Sequence, residues 1–466
     1  MSNFYRRTLA CEAWRKNALC VLRDYLNSYW FYVLQILVAA FFVWLREEVI
    51  GAVVFAVLLC AILTICDDTR ATTLPFLIIS TITTNRYNSY NTYIVFIKYV
   101  PVVLACLAFH FVAYRKKFAT GDSAKGIFAV SIAVCFGGMG RFTFMEYVYG
   151  SYYFFGLGFG MLVVYFLMRS RFDEDKEEYR MKFAFLMTLM GALCGFMIAN
   201  GYYRLYVDKS ISVLQHEGFS QNNIATILMF VMPFPLYLAR KRKAAALGTV
   251  AVLCFLALTR SRGGLLFGCV EFCFCAAFWI FSAPTKKSRK IRLYACLGAF
   301  LAAVCLLVPF FIEMILPRFD VDITKESRYK MLWQGLRKFV KRPISGYGLL
   351  DNDLSYEIMR KKGALTWYHM MPIQIIGGMG LIGVACYGYQ VVNRFKLIFT
   401  KTDHWSLVLG ISYLGILMMS CVNPGEFCPL PFELLTVLLF IFQEVRLQTS
   451  RPLYNDVRRK GTGKAF

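Results

Sequence analysis

Long apolar segments recur along the whole chain, and this pattern constrains the fold more than any other feature of the sequence. Segments of about 15 to 22 mainly apolar residues alternate with charged stretches or with glycine, proline and asparagine. A helix of about 20 apolar residues can cross the hydrocarbon core of a membrane. The pattern therefore predicts an all-α fold, a polytopic bundle of 12–14 transmembrane helices. The candidate spans are 29–45, 50–66, 72–84, 93–113, 126–140, 151–168, 183–200, 224–239, 244–259, 264–282, 293–312, 368–391, 405–422 and 429–445.

Composition supports a membrane protein and excludes several other classes. The chain is 58% apolar and 17% charged, whereas soluble domains average about 45–50% and 25%. Most of the 16 cysteines lie within apolar segments, which indicates small buried side chains and argues against a disulfide scaffold. The formal charge of +24 would suggest nucleic acid in a soluble protein. In a membrane protein it indicates basic cytoplasmic loops, so no nucleic-acid partner is predicted.

The distribution of basic residues predicts the sidedness. If the first 28 residues are cytoplasmic and the spans alternate, 33 of the 52 Lys and Arg fall on the cytoplasmic side. Positive charge is enriched in cytoplasmic loops, so both termini are predicted to be cytoplasmic. The predicted division is a basic N-terminus at 1–28, transmembrane helices at 29–312, an extracytoplasmic loop at 313–367, transmembrane helices at 368–445 and a tail at 446–466.

Two predicted outer segments are longer than turns. One is 201–223, which contains His216. The other is 313–367, which carries eleven Lys and Arg against seven acidic residues. Long loops partly escape the positive-inside rule, so 313–367 could be an ordinary solvated loop. The alternative is a cationic surface for an anionic ligand such as a phosphate or a lipid pyrophosphate.

His369 stands where this basic loop meets the next predicted span. Pro372 fits the first turn of that helix. The positive end of a helix dipole favours the neutral imidazole, which is the form that accepts a proton. His369 is therefore a candidate general base. The alternative is an interfacial histidine beside an aromatic belt.

Arginines at the same predicted face form a second group of candidates. Arg260 and Arg262 lie in a tight connection between two spans, followed by Gly263 and Gly264. Arginines beside a membrane are costly unless they are paired or face a wet cavity. The guanidinium group matches phosphate oxygens two at a time. Arg328 lies in a helical-looking stretch of the long loop and is a candidate for the same role.

Ionisable residues within or near the spans are functional candidates by default. They are Lys98, Glu271 and Glu433, and the alternative for Glu271 and Lys98 is a structural pair. Asp-x-Asp patterns at 320–322 and 351–353 loosely match a metal-binding motif that is common by chance. The sequence has no Walker, Rossmann, HExxH or GxSxG motif, so readings based on ATP, NAD or a serine hydrolase have no support.

Several short motifs follow one another in a distinctive order over about 220–390. These are Gln221-Asn222-Asn223, Thr259-Arg260-Ser261-Arg262-Gly263-Gly264, Ser327-Arg328-x4-Trp333, Pro343-x2-Gly346-x-Gly348, His369-x4-Gln374 and Gly377-Gly378-Met379-Gly380-Leu381-Ile382-Gly383. In their order, spacing and predicted sidedness they resemble the O-antigen ligase/polymerase superfamily of bacterial glycan-assembly membrane proteins. The sequence departs from the family pattern at Met370, because the family usually has an asparagine close after the histidine.

The resemblance implies a fold related to the GT-C glycosyltransferases, with the active site at the extracytoplasmic face of the inner (cytoplasmic) membrane. It implies transfer of a glycan from undecaprenyl pyrophosphate to a hydroxyl of a glycan or lipid acceptor, in contact with membrane lipid and without cofactor or metal. By position, His369 would be the general base, and Arg262 and Arg328 would bind the pyrophosphate, with Arg260 a weaker candidate. Residues that would support the site or contact the acceptor are Asn222, Asn223, Trp333 and Gln374.

Two alternatives remain open at the level of the sequence. A ligase and a polymerase would share fold and chemistry and differ in the acceptor, and the absence of an appended soluble domain favours a polymerase slightly. The rival from another class is a flippase for lipid-linked oligosaccharide. Transporters often show two similar halves and charges near the midplane, whereas these candidates cluster at one predicted face.

Overall fold

The described residues form a bundle of helices, which confirms the predicted all-α polytopic fold. The computed structural model describes residues 18–84, 100–114, 121–137, 154–169, 176–208, 221–314, 327–348 and 368–450. The α-helices are α1 (Tyr29–Leu45), α2 (Glu48–Ile65), α3 (Thr73–Thr84), α4 (Val100–Ala113), α5 (Asp122–Gly137), α6 (Phe159–Arg169), α7 (Glu177–Asp208), α8 (Gln221–Val231), α9 (Phe234–Leu238), α10 (Leu247–Leu258), α11 (Arg262–Phe281), α12 (Lys286–Met314), α13 (Ser327–Lys341), α14 (Met371–Thr400), α15 (His404–Ser420) and α16 (Leu434–Ser450).

Side-chain caps fix where several of these helices begin. Ser28 accepts a hydrogen bond from the backbone N–H of Phe31 at the start of α1, and Asp403 accepts one from Ser406 at the start of α15. Such caps satisfy N–H groups that have no partner within the helix. The short polar breaks between apolar segments therefore act as helix start signals.

Not every apolar segment forms a long unbroken helix. By length and hydropathy, four described helices can each cross a membrane, namely Glu48–Ile65, Glu177–Arg204, Arg262–Phe281 and Met371–Thr400. A fifth is obtained if Ala18–Leu26 and α1, which meet at 54°, count as one span. The predicted span 224–239 is divided between α8 and α9, and 429–445 begins with a wide turn before α16.

Helix α8 lies at the centre of the bundle. All eight residues from Ile224 to Val231 are buried, and α7, α10, α11 and α15 pack around them. A helix that is apolar on all sides is stable only when it is surrounded. Its polar first residues, Gln221, Asn222 and Asn223, are therefore held at a fixed place at one end of the core.

The segment between α15 and α16 is buried in the bundle although it is not a regular helix. Asn423, Glu426 and Phe427 are buried, and the Phe427 ring stacks on Tyr387 of α14 with 6.0 Å between centroids. Irregular backbone at membrane depth is tolerated where surrounding protein satisfies its polar groups. This segment supplies one side of the functional site described below.

Some residues singled out from the sequence lie outside the described part of the chain. They are Lys98, His216 and the two Asp-x-Asp patterns at 320–322 and 351–353. Of the long loop 313–367, the described residues are 313–314 and 327–348.

Candidate functional site

His369 immediately precedes α14 and has an unusual backbone conformation. Its φ is 55°, in the left-handed region that residues other than glycine seldom adopt. The backbone N–H of Tyr368 donates a 3.0 Å hydrogen bond to Oε1 of Gln374, and both side chains are buried. Gln374 thus fixes the strained turn that carries His369. Strain of this kind is concentrated at functional sites.

Arg328 contributes a positive charge next to His369. It lies in the first turn of α13 and is half-buried. Burial of the imidazole, and secondly the charge of Arg328, lower the pKa of His369 below its usual value of about 6.5. The imidazole is therefore neutral at neutral pH. The helix dipole predicts the same direction, but burial and Arg328 are the physical causes here.

A glycine contact fixes α13 against α14. A Cβ atom on Gly335 would overlap Cγ2 of Ile373, and one on Gly377 would lie 3.3 Å from the Cα of Gly335. Two helix backbones can approach this closely only where side chains are absent. The contact places the start of α13, and with it Arg328, beside the start of α14. We call Arg328, Tyr368, His369 and Gln374 the His369 group.

Trp333 lies apart from this contact. Its ring is 48% exposed and meets Tyr329 edge to face, with 6.2 Å between centroids. The structure thus places Trp333 on the outer side of α13, and the predicted supporting role would have to come from contact with a ligand.

The segment after α13 is bonded to a break in α14. The backbone N–H groups of Tyr347 and Gly348 donate to the carbonyls of Gly377 and Gly378 at 3.0 and 2.8 Å. In return, Leu381 donates to the carbonyl of Pro343 at 2.8 Å. The two glycine motifs noted in the sequence are therefore structural partners, which sequence reasoning did not find.

Gly380 makes this exchange of hydrogen bonds possible. Its φ of 59° and ψ of −150° interrupt α14 and release backbone groups for the segment at 343–348. Each glycine costs a helix about 1 kcal/mol relative to alanine. Three glycines within four residues were a signal that could have predicted the break.

Arg260 and Arg262 flank the cap of α11. The φ of Arg260 is 60°, and its Nε donates a 3.1 Å hydrogen bond to the Tyr202 hydroxyl. Ser261 accepts from the backbone N–H of Gly264 at 3.1 Å and donates to Oδ1 of Asn222 at 2.7 Å. Arg262 is the first residue of α11 and is exposed. The cap therefore holds the backbone from which both arginines project.

The two asparagines of α8 join this turn to the buried segment after α15. Asn222 accepts the bond from Ser261, and Asn223 accepts a long 3.4 Å hydrogen bond from Nδ2 of Asn423. Asn423 is buried and also lies 3.4 Å from the hydroxyl of Thr226. Its position inside an Asn-Pro-Gly turn gave no sequence signal of this role. We call Asn222, Asn223, Arg260, Ser261, Arg262 and Asn423 the Ser261 group.

The predicted residues thus fall into two groups that share one feature. Each group lies where two helices begin. α8 and α11 begin in the Ser261 group, and α13 and α14 begin at the His369 group. The unpaired N–H groups and the positive dipole at a helix start favour an anion. The guanidinium group of an arginine at such a helix start can add charge-assisted hydrogen bonds to a phosphate group.

Glu433, a predicted candidate, belongs instead to a buried ion-pair network. Arg394 pairs with Glu426 and with Glu433, the latter at 3.0 Å, and Gln390 donates a 2.9 Å hydrogen bond to Glu433. All four are buried, and we call them the Arg394 network. The stretch 392–404 lies between two predicted spans, but it is helical as far as Thr400, which is why Arg394 lies inside the bundle.

Comparison with known families gives a match over part of the chain. The family model described as O-antigen ligase matches residues 247–388. The match contains Arg260, Arg262, Arg328, His369 and Gln374. A search of curated proteins found no match. The match over residues 247–388 supports the resemblance to the O-antigen ligase/polymerase superfamily that the motifs predicted.

Proposed function

We propose that this membrane protein transfers a glycan from undecaprenyl pyrophosphate to an acceptor hydroxyl, with His369 as general base. The observation that carries the proposal is the half-buried position of His369 beside Arg328, which lowers the pKa of the imidazole. A base must be unprotonated to act, and this environment keeps the imidazole neutral at neutral pH. General bases typically contribute about 10²–10⁴-fold to the rate.

The arginines are proposed to bind the pyrophosphate of the donor. A glycosyl pyrophosphate is already activated, so its departure needs positive charge to stabilise the diphosphate more than it needs an acid. Arg262 and Arg328 each lie in the first turn of a helix, where backbone N–H groups add to the positive potential. Arg260 is a weaker candidate because its guanidinium group already contacts Tyr202. No metal ion is required in this scheme.

The bonds balance as follows. The acceptor oxygen forms a bond with the anomeric carbon, and its proton passes to His369. The bond between the anomeric carbon and the phosphate oxygen breaks, and undecaprenyl pyrophosphate leaves with the electron pair. Attack opposite the leaving group inverts the anomeric centre. A product of retained configuration, seen by NMR of the new linkage, would contradict direct displacement.

The proposal also includes the membrane face of the site and the acceptor of the glycan. We place the site at the extracytoplasmic face of the inner membrane with both termini in the cytoplasm, which the positive-inside distribution of Lys and Arg supports. We favour a polymerase slightly over a ligase. In either case the acceptor is a glycan or lipid hydroxyl, and Asn222, Asn223, Trp333 and Gln374 are proposed to support the site or contact the acceptor.

The test is a transfer assay with purified protein, a lipid-pyrophosphate oligosaccharide and EDTA. We expect wild type to form product and His369→Ala to lose about 10²–10⁴-fold in rate. His404→Ala is the matched control, since His404 also stands at a helix start but is exposed. A ladder of product lengths indicates a polymerase, and a single addition to a supplied acceptor indicates a ligase.

Three results would contradict parts of this proposal. Full activity of His369→Ala would remove the base assignment. Loss of wild-type activity in EDTA, restored by a divalent cation, would remove metal independence. If no protein forms product but wild type moves the lipid across proteoliposomes, the flippase alternative is correct.

A further inference from the structure

A cavity of about 730 Å³ is lined by residues that belong to neither the His369 group nor the Ser261 group. It opens between α5, α6, α14 and α16, and its lining includes Asn393, Lys396 and Thr400 near the end of α14. His369 precedes the start of the same helix. Asn393 lies beyond the break at Gly380, in the second part of the same helix. The lining includes Asp122 and Thr400, the first residue of α5 and the last residue of α14, so the cavity lies where these helices end, which in a membrane bundle is typical of the headgroup layer.

The walls of the cavity are apolar. Phe128 of α5 and Phe159 of α6 line it and are 51% and 40% exposed, and Leu162 and Phe166 continue the same wall. Large exposed aromatic side chains next to a cavity provide a surface for hydrocarbon. A soluble anion would leave this surface uncovered, whereas an acyl chain would cover it.

The mouth of the cavity offers hydrogen-bond donors. Asn393 and Lys396 are three residues apart on α14 and therefore share one face of the helix. Within the described part of the chain, Nδ2 of Asn393 is buried without a hydrogen-bond partner. Lys396 is exposed and forms no ion pair with another described residue. An ammonium and an amide N–H one turn apart suit two oxygens of a phosphate group.

Both carboxylates of the lining accept a hydrogen bond from the protein. Asp122 accepts a 2.8 Å hydrogen bond from Lys125, and Oε2 of Glu444 accepts a 2.7 Å hydrogen bond from the Tyr165 hydroxyl, whereas Oε1 of the buried Glu444 has no hydrogen-bond partner among the described residues. Among the exposed charged side chains of the lining, Lys396 is the one that forms no ion pair with another described residue. Its charge favours a ligand with a net negative headgroup.

We propose that this cavity binds one anionic glycerophospholipid of the surrounding membrane. Its phosphate bonds to Asn393 and Lys396, and its acyl chain lies against Phe128, Phe159 and Phe166. Basic pockets between helices at a membrane interface are suited to such headgroups. The site is separate from the proposed donor site and does not depend on the proposed transfer reaction.

Native mass spectrometry of the full chain, purified in detergent, tests this directly. The probes are phosphatidylglycerol and, with identical acyl chains, phosphatidylcholine. We expect phosphatidylglycerol to bind wild type preferentially. Lys396→Gln should weaken its binding by about tenfold, through loss of one charge-assisted hydrogen bond. Lys401→Gln is the matched control, because Lys401 is exposed at the same end of α14 but does not line the cavity.

A second variant tests occupancy of the cavity. Thr400→Trp places a large ring at the mouth from an exposed position, so we expect the lipid adduct to disappear while the melting temperature in lipid-free detergent is unchanged. Equal binding to Lys396→Gln and Lys401→Gln, or equal binding of the two lipids, would overturn the headgroup assignment. Displacement of the lipid by glycerol phosphate at similar concentration would indicate a soluble anion as the ligand.

Discussion

The His369 group and the Arg394 network lie at two different places along α14, and the charged groups around them differ. Arg394 is buried between Glu426 and Glu433, so its charge is compensated within the protein. At the start of the same helix, the charged neighbour that affects His369 is a cation, Arg328. A buried arginine with two carboxylates has a complete structural explanation. A histidine beside an arginine, where two helices begin, is an arrangement suited to an anionic ligand.

This contrast separates stability from activity. A buried ion pair whose partners are all in the protein stabilises the fold, whereas a strained turn costs stability and is typical of a functional site. Substitutions in the Arg394 network should therefore reduce stability, and substitutions in the His369 group should reduce transfer without unfolding the bundle.

The largest effect on stability is expected for Arg394→Gln. Removing one partner of a buried ion pair leaves an uncompensated carboxylate and typically costs about 3–5 kcal/mol. We expect this loss in the free energy of unfolding, measured by titration with a denaturing detergent. Lys401→Gln on the exposed end of α14 should change it by less than about 0.5 kcal/mol. If Arg394→Gln kept its stability and lost transfer, the network would belong to the site and the contrast would fail.

The next largest effect is expected for Gly380→Ala. The positive φ of 59° costs an L-residue about 1–2 kcal/mol, and a Cβ atom would lie 2.5 Å from the carbonyl oxygen of Pro343. We expect the segment at 343–348 to detach, with faster hydrogen exchange at the amides of Tyr347 and Gly348. Gly388→Ala is the control on the same helix, because a Cβ there meets nothing within 4 Å. Equal exchange in both variants would show that the segment does not depend on the break.

The sequence was sufficient to predict the helical bundle and to select several residues that the structure brings together. Apolar segments predict membrane helices because crossing the hydrocarbon core requires a certain length and an apolar composition, and both can be read from the sequence. His369, Arg328 and Gln374 were selected by their order and motif, and the structure brings them together. Asn222 and Ser261, from motifs about 40 residues apart, also meet.

Pairings between segments that are distant along the chain could not be predicted from the sequence. The bond from Asn423 to Asn223 and the pairing of Arg394 with Glu426 and Glu433 depend on a buried irregular segment after α15. Nothing in local hydropathy shows that a short polar stretch passes into the bundle. Such contacts follow from tertiary packing, which overrides local pattern.

A smaller effect is expected for Ser261→Ala. Loss of an N-terminal helix cap costs about 1 kcal/mol, and the bond to Asn222 is lost as well. Ser28→Ala removes a comparable cap from α1, outside the Ser261 group, and should cost a similar amount. We expect only Ser261→Ala to raise the KM for the lipid donor, since it alone loosens the turn that carries Arg262. Equal KM values for the two variants would show that the cap of α11 is purely structural.

The smallest effect is a shift in pH dependence, and it tests the contrast most directly. Because burial and Arg328 lower the pKa of His369, the wild-type rate should fall on the acid side only below about pH 6.5. Arg328→Gln removes one of the two causes, so the acid limb should move upward towards that value while burial keeps it below. Arg328→Lys retains the charge, so the acid limb of its rate profile should stay in place, although the rate falls with the loss of the forked contact.

Stability should change with pH in the same direction as the rate. Because the pKa of His369 is lower in the folded protein than in the unfolded chain, its contribution to stability is present above about pH 6.5 and is lost as the pH falls. Rates must therefore be compared where circular dichroism shows each variant folded. Coincident limbs for wild type and Arg328→Gln would mean that Arg328 does not act on the titrating group, and the His369 group would then lose the feature that separates it from the Arg394 network.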